Sequence, residues 1–301
     1  MTATSHHYNP QVYLRQFKKP KAKNELWEYD LTNGTVKKST PQESGCEDFY
    51  HSFICIDGKQ DNESIEKSFH FIENRLPELF KAIRCRMSLS PELWRVFFLF
   101  AAIQHARCPK ALHSFNESLS KQYKYEFEII KSRSDFDKTI INAGLDPQKF
   151  HEKEFDVKAD RGTSLLMLLS RYPNLEKLFS QMNWVFFCAP SGKYFFTSDA
   201  PVCSWSTPEK RGPFGTTGLA DANAEITFPL SKNICAFGQR QSPPLTLYQE
   251  LPDNKVNGIN YRTVCNGWHF VYGPTEDVRI MEIVEAKAES RQSVCHKVVS
   301  P

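Results

Sequence analysis

Residues Val96 to Ile103 read Val-Phe-Phe-Leu-Phe-Ala-Ala-Ile, an unbroken apolar run behind Ser90-Pro91-Glu92. Serine caps free helix amides and proline is pre-set for the first helical position, so a long helix is predicted from about residue 90. Leu93, Phe97, Phe100, Ala101 and Gln104 stack along one side, and the other sides are almost as apolar. A helix with that surface must be enclosed by other elements, which places it at the centre of the core. The run is too short to cross a bilayer, and no stretch of about 18 apolar residues occurs elsewhere, so no membrane partner is expected.

The cover comes from both sides of this helix. Asn9-Pro10 starts a short helix through Val12, Tyr13, Leu14 and Phe17 that ends at Pro20. Asn33-Gly34 suits a type I′ hairpin between Leu26–Tyr29 and Thr35-Val36, since both residues tolerate positive φ, and a short strand is predicted at 52–56. From Glu63 the apolar residues Ile65, Phe69, Ile72, Leu76 and Phe80 recur at helical steps, with a kink expected at Pro77. Pro109 breaks or bends the next helix, which resumes over 111–130; shorter helices follow at 136–142, 147–155 and 164–182. Trp184–Phe187 and Tyr194–Thr197 read as a second hairpin turning at Ser191-Gly192. A surface loop over 207–222, strands at 226–230 and 234–237, a helix over 253–272 and a strand at 278–284 complete the chain. Helices followed by antiparallel strands predict an α+β fold, a central helical bundle with an antiparallel sheet from the C-terminal half and a small N-terminal hairpin. We read residues 1–301 as one domain: 1–60 with the histidine motif and hairpin, 61–182 helical, 183–301 mainly β with one late helix.

Charge gives little direction, since 38 basic residues against 35 acidic leave +3, and any nucleic-acid partner must be recognised by a local patch. Nine cysteines without a C-x-x-C pair argue against a zinc ribbon or a disulfide framework. With no apolar core in Met1–Asn9 to serve as a signal peptide, a cytoplasmic location is expected.

Three clusters could carry chemistry. His6-His7 precedes a capped helix start, where imidazoles can move protons and free amides favour an anion; a solvated cap is the plainer reading. Gln104 and Arg107 share a helix face, and a guanidinium on a core helix needs an anionic ligand or an acid, for which Glu66 and Glu73 are placed. Asp199, in Thr197-Ser198-Asp199-Ala200-Pro201, sits at a strand end, a position for a metal-binding or base-polarising carboxylate and equally for one that bonds its own turn. Lys18, Lys19, Lys21 and Lys23, beside Tyr13, Phe17 and Trp27, could guide a phosphate backbone. Arg107 and His113 match the R-x(4–6)-H spacing of a helical class of metal-independent ribonucleases, but nine histidines make chance matches common and Pro109 interrupts this one. No P-loop, G-x-G-x-x-G or H-E-x-x-H is present.

These clusters together resemble the domain of unknown function 4238 family of bacterial proteins. The resemblance lies in His6-His7-Tyr8 with Pro10, Tyr13, Leu14 and Phe17; in Gln104, Arg107 and Pro109; in Thr197-Ser198-Asp199 with Pro201 and Val202; in Phe228-Pro229-Leu230-Ser231; and in Asn260. Asn9 and Cys108 depart from the family's usual apolar residue and threonine. The resemblance implies one full-length domain and a grouping of the motifs, and names no reaction.

The residues themselves suggest a phosphodiester-cleaving hydrolase, a nuclease of bacterial toxin or defence type. The expected catalytic set is His6, His7, Arg107, Asp199, Glu73 and Gln104, with Lys18, Lys19 and Tyr13 on the substrate and a divalent ion held, if at all, by Asp199 with Glu73. The alternative is a non-catalytic module that binds nucleic acid or another ligand through the same groups. Either reading requires the imidazoles, the guanidinium and the aspartate to meet.

Overall fold

The structure, a computed structural model, describes residues 5–19, 24–55, 57–151, 157–206, 218–241 and 246–299, of which 291–299 by backbone alone. Lys21, Lys23, Ile56, residues 152–155 and most of the expected 207–222 loop lie outside them. In chain order the elements begin with β1 (Ser5–His7) and α1 (Gln11–Leu14), which a 3-10 turn extends to Phe17. The hairpin β2 (Leu26–Asp30) and β3 (Thr35–Ser39) follows, then β4 (Cys46–Asp48), β5 (Phe53–Ile54) and β6 (Gln60–Asp61). The helical middle comprises α2 (Ser64–Glu73), α3 (Leu76–Arg84), α4 (Pro91–Ala106), α5 (Pro109–Lys131), α6 (Phe136–Asn142), α7 (Gln148–His151), α8 (Arg161–Leu169) and α9 (Tyr172–Ser180). The last third holds β7 (Asn183–Cys188), β8 (Thr197–Ser198), β9 (Cys203–Trp205), β10 (Glu225–Ser231), β11 (Ile234–Gln239), β12 (Tyr248–Glu250), α10 (Asp253–Asn266), β13 (Phe270–Gly273) and α11 (Val278–Val299). With about 46% helix and 20% strand, the fold is α+β.

Helix α4 is the core element its composition demands. Ser90 Oγ accepts the Leu93 amide at 3.3 Å and caps it. Its apolar surface packs on a five-stranded sheet ordered β12-β7-β11-β10-β9, antiparallel except for the parallel β12–β7 pair. Phe97 meets Trp184 edge-on with centroids 4.8 Å apart, and Phe100 lies 5.3 Å from Phe228. Tyr13 of α1 packs into the same seam, 5.5 Å from Phe100 and 5.8 Å from Phe228. The main apolar cluster thus draws on the start, middle and end of the sequence.

The N-terminal hairpin forms, with Gly34 at φ +73°, but Asp30 pairs with Thr35, so a four-residue loop, Leu31–Gly34, replaces the expected type I′ turn centred on Asn33-Gly34. It does not stand alone: β13 and β8 extend it into a four-stranded antiparallel sheet ordered β3-β2-β13-β8. A second apolar cluster, including Tyr29, Leu31, Phe196, Val264 and Val271, lies under that sheet.

Several expectations are corrected. Trp184–Phe187 and Tyr194–Thr197 do not form a hairpin: β7 pairs with β11 and β12, while Thr197-Ser198 pairs with β13 in the other sheet. A strand as apolar as β7 belongs inside a sheet, flanked on both edges. The expected helix over 253–272 stops at Asn266, and the chain turns into β13. At this exit a Cβ on Gly267 would stand 2.8 Å from Leu31 Cδ1 and 3.2 Å from Ser198 Cβ, so any side chain there would have to push Leu31 aside and crowd Ser198. Residues 278–284 open helix α11 instead of forming a strand; Ile280, Val284 and Ala288, four apart, are its buried stripe. Pro77 starts α3 instead of kinking a longer helix, and the 164–182 segment divides before Pro173 for the same reason.

No disulfide occurs among the described residues, and among them no helix is long and apolar enough to cross a membrane.

Candidate active site

Three short segments converge at the C-terminal end of α4. Strand β1 pairs with β4, His6 opposite Glu47, and points His6 inward while His7 stays half-buried at the rim. Phe49 holds φ +57°, a left-handed conformation that costs a non-glycine residue about 1–2 kcal/mol and turns Tyr50 and His51 into the interior. Helix α2 contributes Glu66 and Glu73, two turns apart and on one face. Tyr50 ties the segment down by donating its hydroxyl to the Arg107 carbonyl at 2.8 Å.

Two carboxylates hold two different partners. Glu66 Oε1 lies 2.5 Å from His51 Nδ1, and Glu73 Oε1 lies 3.0 Å from Arg107 Nη1. Arg107 also donates through Nε and Nη2 to Gln104 Oε1 at 3.1 and 2.9 Å, and its guanidinium stacks 4.7 Å from the Phe69 centroid. Gln104 Nε2 donates to the Tyr8 carbonyl at 2.9 Å and to Asn9 Oδ1, and Asn9 Nδ2 donates to the Ser198 carbonyl at 2.9 Å. One hydrogen-bonded chain therefore links the first, second and third sequence clusters.

Proton positions follow from these bonds. His51 N–H donates to His6 Nδ1 at 2.9 Å, so His6 carries its ring proton on Nε2. His51 donates Nδ1–H to Glu66, so its Nε2 is a bare lone pair. The two rings stack 5.7 Å apart at 11°. Both Nε2 atoms are buried and without a hydrogen-bond partner among the described residues, one a donor and the other an acceptor. Leaving such atoms unpaired costs about 1–3 kcal/mol each.

Burial drives His51 down to about 4, with Arg107 and His6 acting in the same sense and Glu66 opposing. Burial alone would raise Glu66, but the hydrogen bond from His51 and the positive charge of Arg107 carry it below its ordinary value. His7 is lowered, by burial first, and its ring feels Glu66, Arg107 and Glu73 while Nε2 bonds the Gln42 carbonyl at 3.1 Å.

Ligand atoms of His6, His51 and Glu66 all lie within 4.8 Å of one another, a spacing a metal ion could use. A metal on His6 Nε2, however, would require the ring proton on Nδ1, where it would face the amide hydrogen of His51. The bonds present suit a proton donor beside a proton acceptor; only His51 Nε2 offers a free lone pair with the carboxylate behind it that metal-binding imidazoles use.

Other expected site residues take structural positions. Asp199 is fully buried, and its carboxylate accepts the amides of Trp268, His269 and Phe270 at 2.7, 2.6 and 3.1 Å. Burial pushes its carboxyl up while the three amides pull it down. Both Asp199 oxygens are engaged by these amides, and the group of three metal-capable side chains found among the described residues is His6, His51 and Glu66, which includes neither Asp199 nor Glu73. Arg107 is 1% exposed, and three of its five N–H donors go to Glu73 and Gln104, so it ties α4 to α2 from inside the protein. Gln104 serves as the clamp between Arg107 and Asn9. Tyr13 is buried in the core, and its hydroxyl is engaged within the protein, 2.6 Å from both the Pro229 carbonyl and Thr197 Oγ1. Lys19 pairs with Glu25 at 3.3 Å and the Lys18 carbonyl accepts from Lys232 at 3.0 Å, contacts that lie apart from the histidines. His113 packs on Trp268 at 4.8 Å, and the helix break between α4 and α5 separates it from Arg107.

His51 lies outside the three sequence clusters, and Glu66 meets its imidazole instead of the expected Arg107. The spacing of Glu66 and Glu73 on one helix face was the available signal; that the second polar partner is an imidazole depends on the turn at Phe49.

The family described as "Protein of unknown function (DUF4238)" matches residues 5–277, from β1 to the residue before α11. No curated protein and no solved structure matches the chain. The match takes in every residue of the hydrogen-bonded chain from Glu73 to Ser198, and the protein belongs to the DUF4238 family.

Proposed function

We propose that the protein is a hydrolase of phosphodiesters, nuclease-like in reaction, whose reacting groups are His51 and His6. The observation that carries the reading is the pair of buried, unpartnered Nε2 atoms of opposite polarity, one anchored by a carboxylate and the other by an amide. His51 Nε2 takes the proton of the attacking water or sugar hydroxyl as the new P–O bond forms. Glu66 orients the ring through Nδ1–H and stabilises the imidazolium, which returns the proton to the leaving oxygen as the old P–O bond breaks. His6 Nε2–H donates to a phosphoryl oxygen where charge develops. Arg107 acts at one remove: it holds Glu73 and packs on Phe69, whose ring meets that of His51 edge-on at 5.3 Å.

The test is cleavage of end-labelled RNA, single-stranded DNA and an activated phosphodiester, with and without chelator. His51→Gln is expected to lower the rate by about 10²–10⁴, the range for loss of a general base, and Glu66→Gln by less. Wild-type protein that cleaves none of them, or a folded His51→Gln protein as active as wild type, overturns the proposal. A non-catalytic role is favoured by one observation, the near-complete burial of both rings: 1% exposure for His6 and 0% for His51. Under that reading His51→Gln lowers stability and the wild type cleaves nothing.

A further inference from the structure

A cleft of about 630 Å³ opens where the turn after α1, the end of α3, the 189–194 connection and the β10–β11 turn converge. Arg15, Arg84, Arg86, Lys193 and Lys232 line it, and no acidic residue does. Among the described residues only two of these cations have a carboxylate partner: Arg86 with Glu250 at 2.6 Å and Lys193 with Asp253 at 3.2 Å. Arg15 donates to the neutral Gln11 side chain at 3.1 Å, and Lys232 Nζ to the Lys18 carbonyl. Lys232, half-buried, lies below the ordinary lysine range because burial, and then Lys18, disfavours its charge. Like charges gathered in a concave site raise the local potential and leave an unmet demand for an anion.

Arg86 supplies an independent observation. Helix α3 closes with the Met87 amide on the Ala82 carbonyl and the Arg86 amide on the Ile83 carbonyl, both at 3.0 Å. That closure puts the residue after the helix in the left-handed region, where glycine is the unstrained choice. Arg86 occupies it at φ +53°. Strain kept at a position that supplies a cation to a cleft wall is the pattern of a binding surface.

We infer that the cleft binds a ligand carrying two or more linked phosphates, the chemistry shared by a nucleoside polyphosphate and a short stretch of nucleic-acid backbone. Guanidinium forks match phosphate oxygens in pairs, and the volume falls within the range of about 300–1,000 Å³ usual for small-ligand sites. The lining residues are distinct from His6, His51 and Glu66, and the inference stands or falls apart from the hydrolase reading.

Inorganic triphosphate, ATP and a labelled single-stranded DNA decamer are titrated against the full chain at physiological salt by calorimetry and anisotropy. Saturable binding is expected. Arg84→Ala and Lys232→Met should each weaken it about tenfold, the loss for one charge-assisted hydrogen bond. Arg86→Gly should weaken it similarly without lowering Tm, which separates binding from folding. Arg95→Ala, an exposed arginine outside the cleft, should change nothing. Tighter binding of triphosphate and ATP assigns a nucleotide ligand, and tighter binding of the decamer assigns nucleic-acid backbone. No saturable binding of any probe, or binding that Arg84→Ala, Arg86→Gly and Lys232→Met leave within about twofold of wild type, overturns the inference.

Discussion

Replacing Asp199 by asparagine separates structural from chemical roles. The carboxylate accepts one amide on Oδ1, from Trp268, and two on Oδ2, from His269 and Phe270. Asparagine keeps the shape but offers one acceptor oxygen and an amino group that only donates. With its oxygen toward His269 and Phe270, the amino group opposes the Trp268 amide; turned over, it opposes two amides. The milder arrangement leaves one buried amide without an acceptor, at about 1–3 kcal/mol, and reduces two bonds to a charged acceptor to neutral ones, at about 1 kcal/mol each. Asp199→Asn should therefore destabilise the fold by about 3–5 kcal/mol, against no more than about 0.5 for an exposed control such as Asp48→Asn. Urea unfolding followed by tryptophan fluorescence, with the m-value shared between variants, reads the difference. If the proposed hydrolysis occurs, the folded fraction should retain its rate. A loss below about 1 kcal/mol, or a stable variant without activity, would return Asp199 to the chemistry and refute the amide-anchor role.

Three further outcomes are expected. His51 titrates near 4 in the folded chain against about 6.5 unfolded, so the unfolded state binds a proton first: its share of stability is full above pH 6.5 and is lost as pH falls toward 4, about 3 kcal/mol in all. His51→Gln should flatten that part of the pH–stability curve, while His105, also lowered to about 4 by burial, contributes a separate slope that the variant keeps. Gly267→Ala should cost about 1–3 kcal/mol in the same unfolding assay, because its methyl group enters the space of Leu31 and Ser198. Arg107→Lys should cost about 2 kcal/mol, since an ammonium cannot span Gln104 and Glu73 as the fork does; an unchanged urea midpoint would show that the bonds to Gln104 and Glu73 carry no stability.

The elements that sequence periodicity described well are those whose burial is one-sided or complete. Helix α4 was legible because a Ser-Pro-Glu start preceded an apolar surface, and the β2–β3 hairpin because Asn33-Gly34 permits only a few turns. The failures share a cause, which is that pairing partners are chosen by tertiary contact. Trp184–Phe187 and Tyr194–Thr197 have the composition of a hairpin, yet each finds its neighbours in a different sheet. Val278–Val284 looked like a strand because it is rich in β-branched residues, whereas its buried positions Ile280 and Val284 keep the helical step.

The site was half legible. The coupling of Arg107 to Gln104 and Glu73 followed from helix-face spacing, and the proximity of the N-terminal motif to this face is met through Asn9. His51 was invisible because nothing local marks it; a left-handed Phe49 and a two-residue turn place it under His6. Asp199 carried the right residue type for chemistry and proved to be the anchor of a turn, the alternative that its strand-end position already allowed.

The imidazole tautomers of His6 and His51 decide whether a proton donor stands beside an acceptor. Long-range nitrogen–proton correlation spectra of ring-labelled protein at pH 7 report them directly. Opposite tautomers are expected, Nε2–H on His6 and Nδ1–H on His51, with His51 uncharged. The same tautomer on both rings, or a doubly protonated His51, would contradict the central reading.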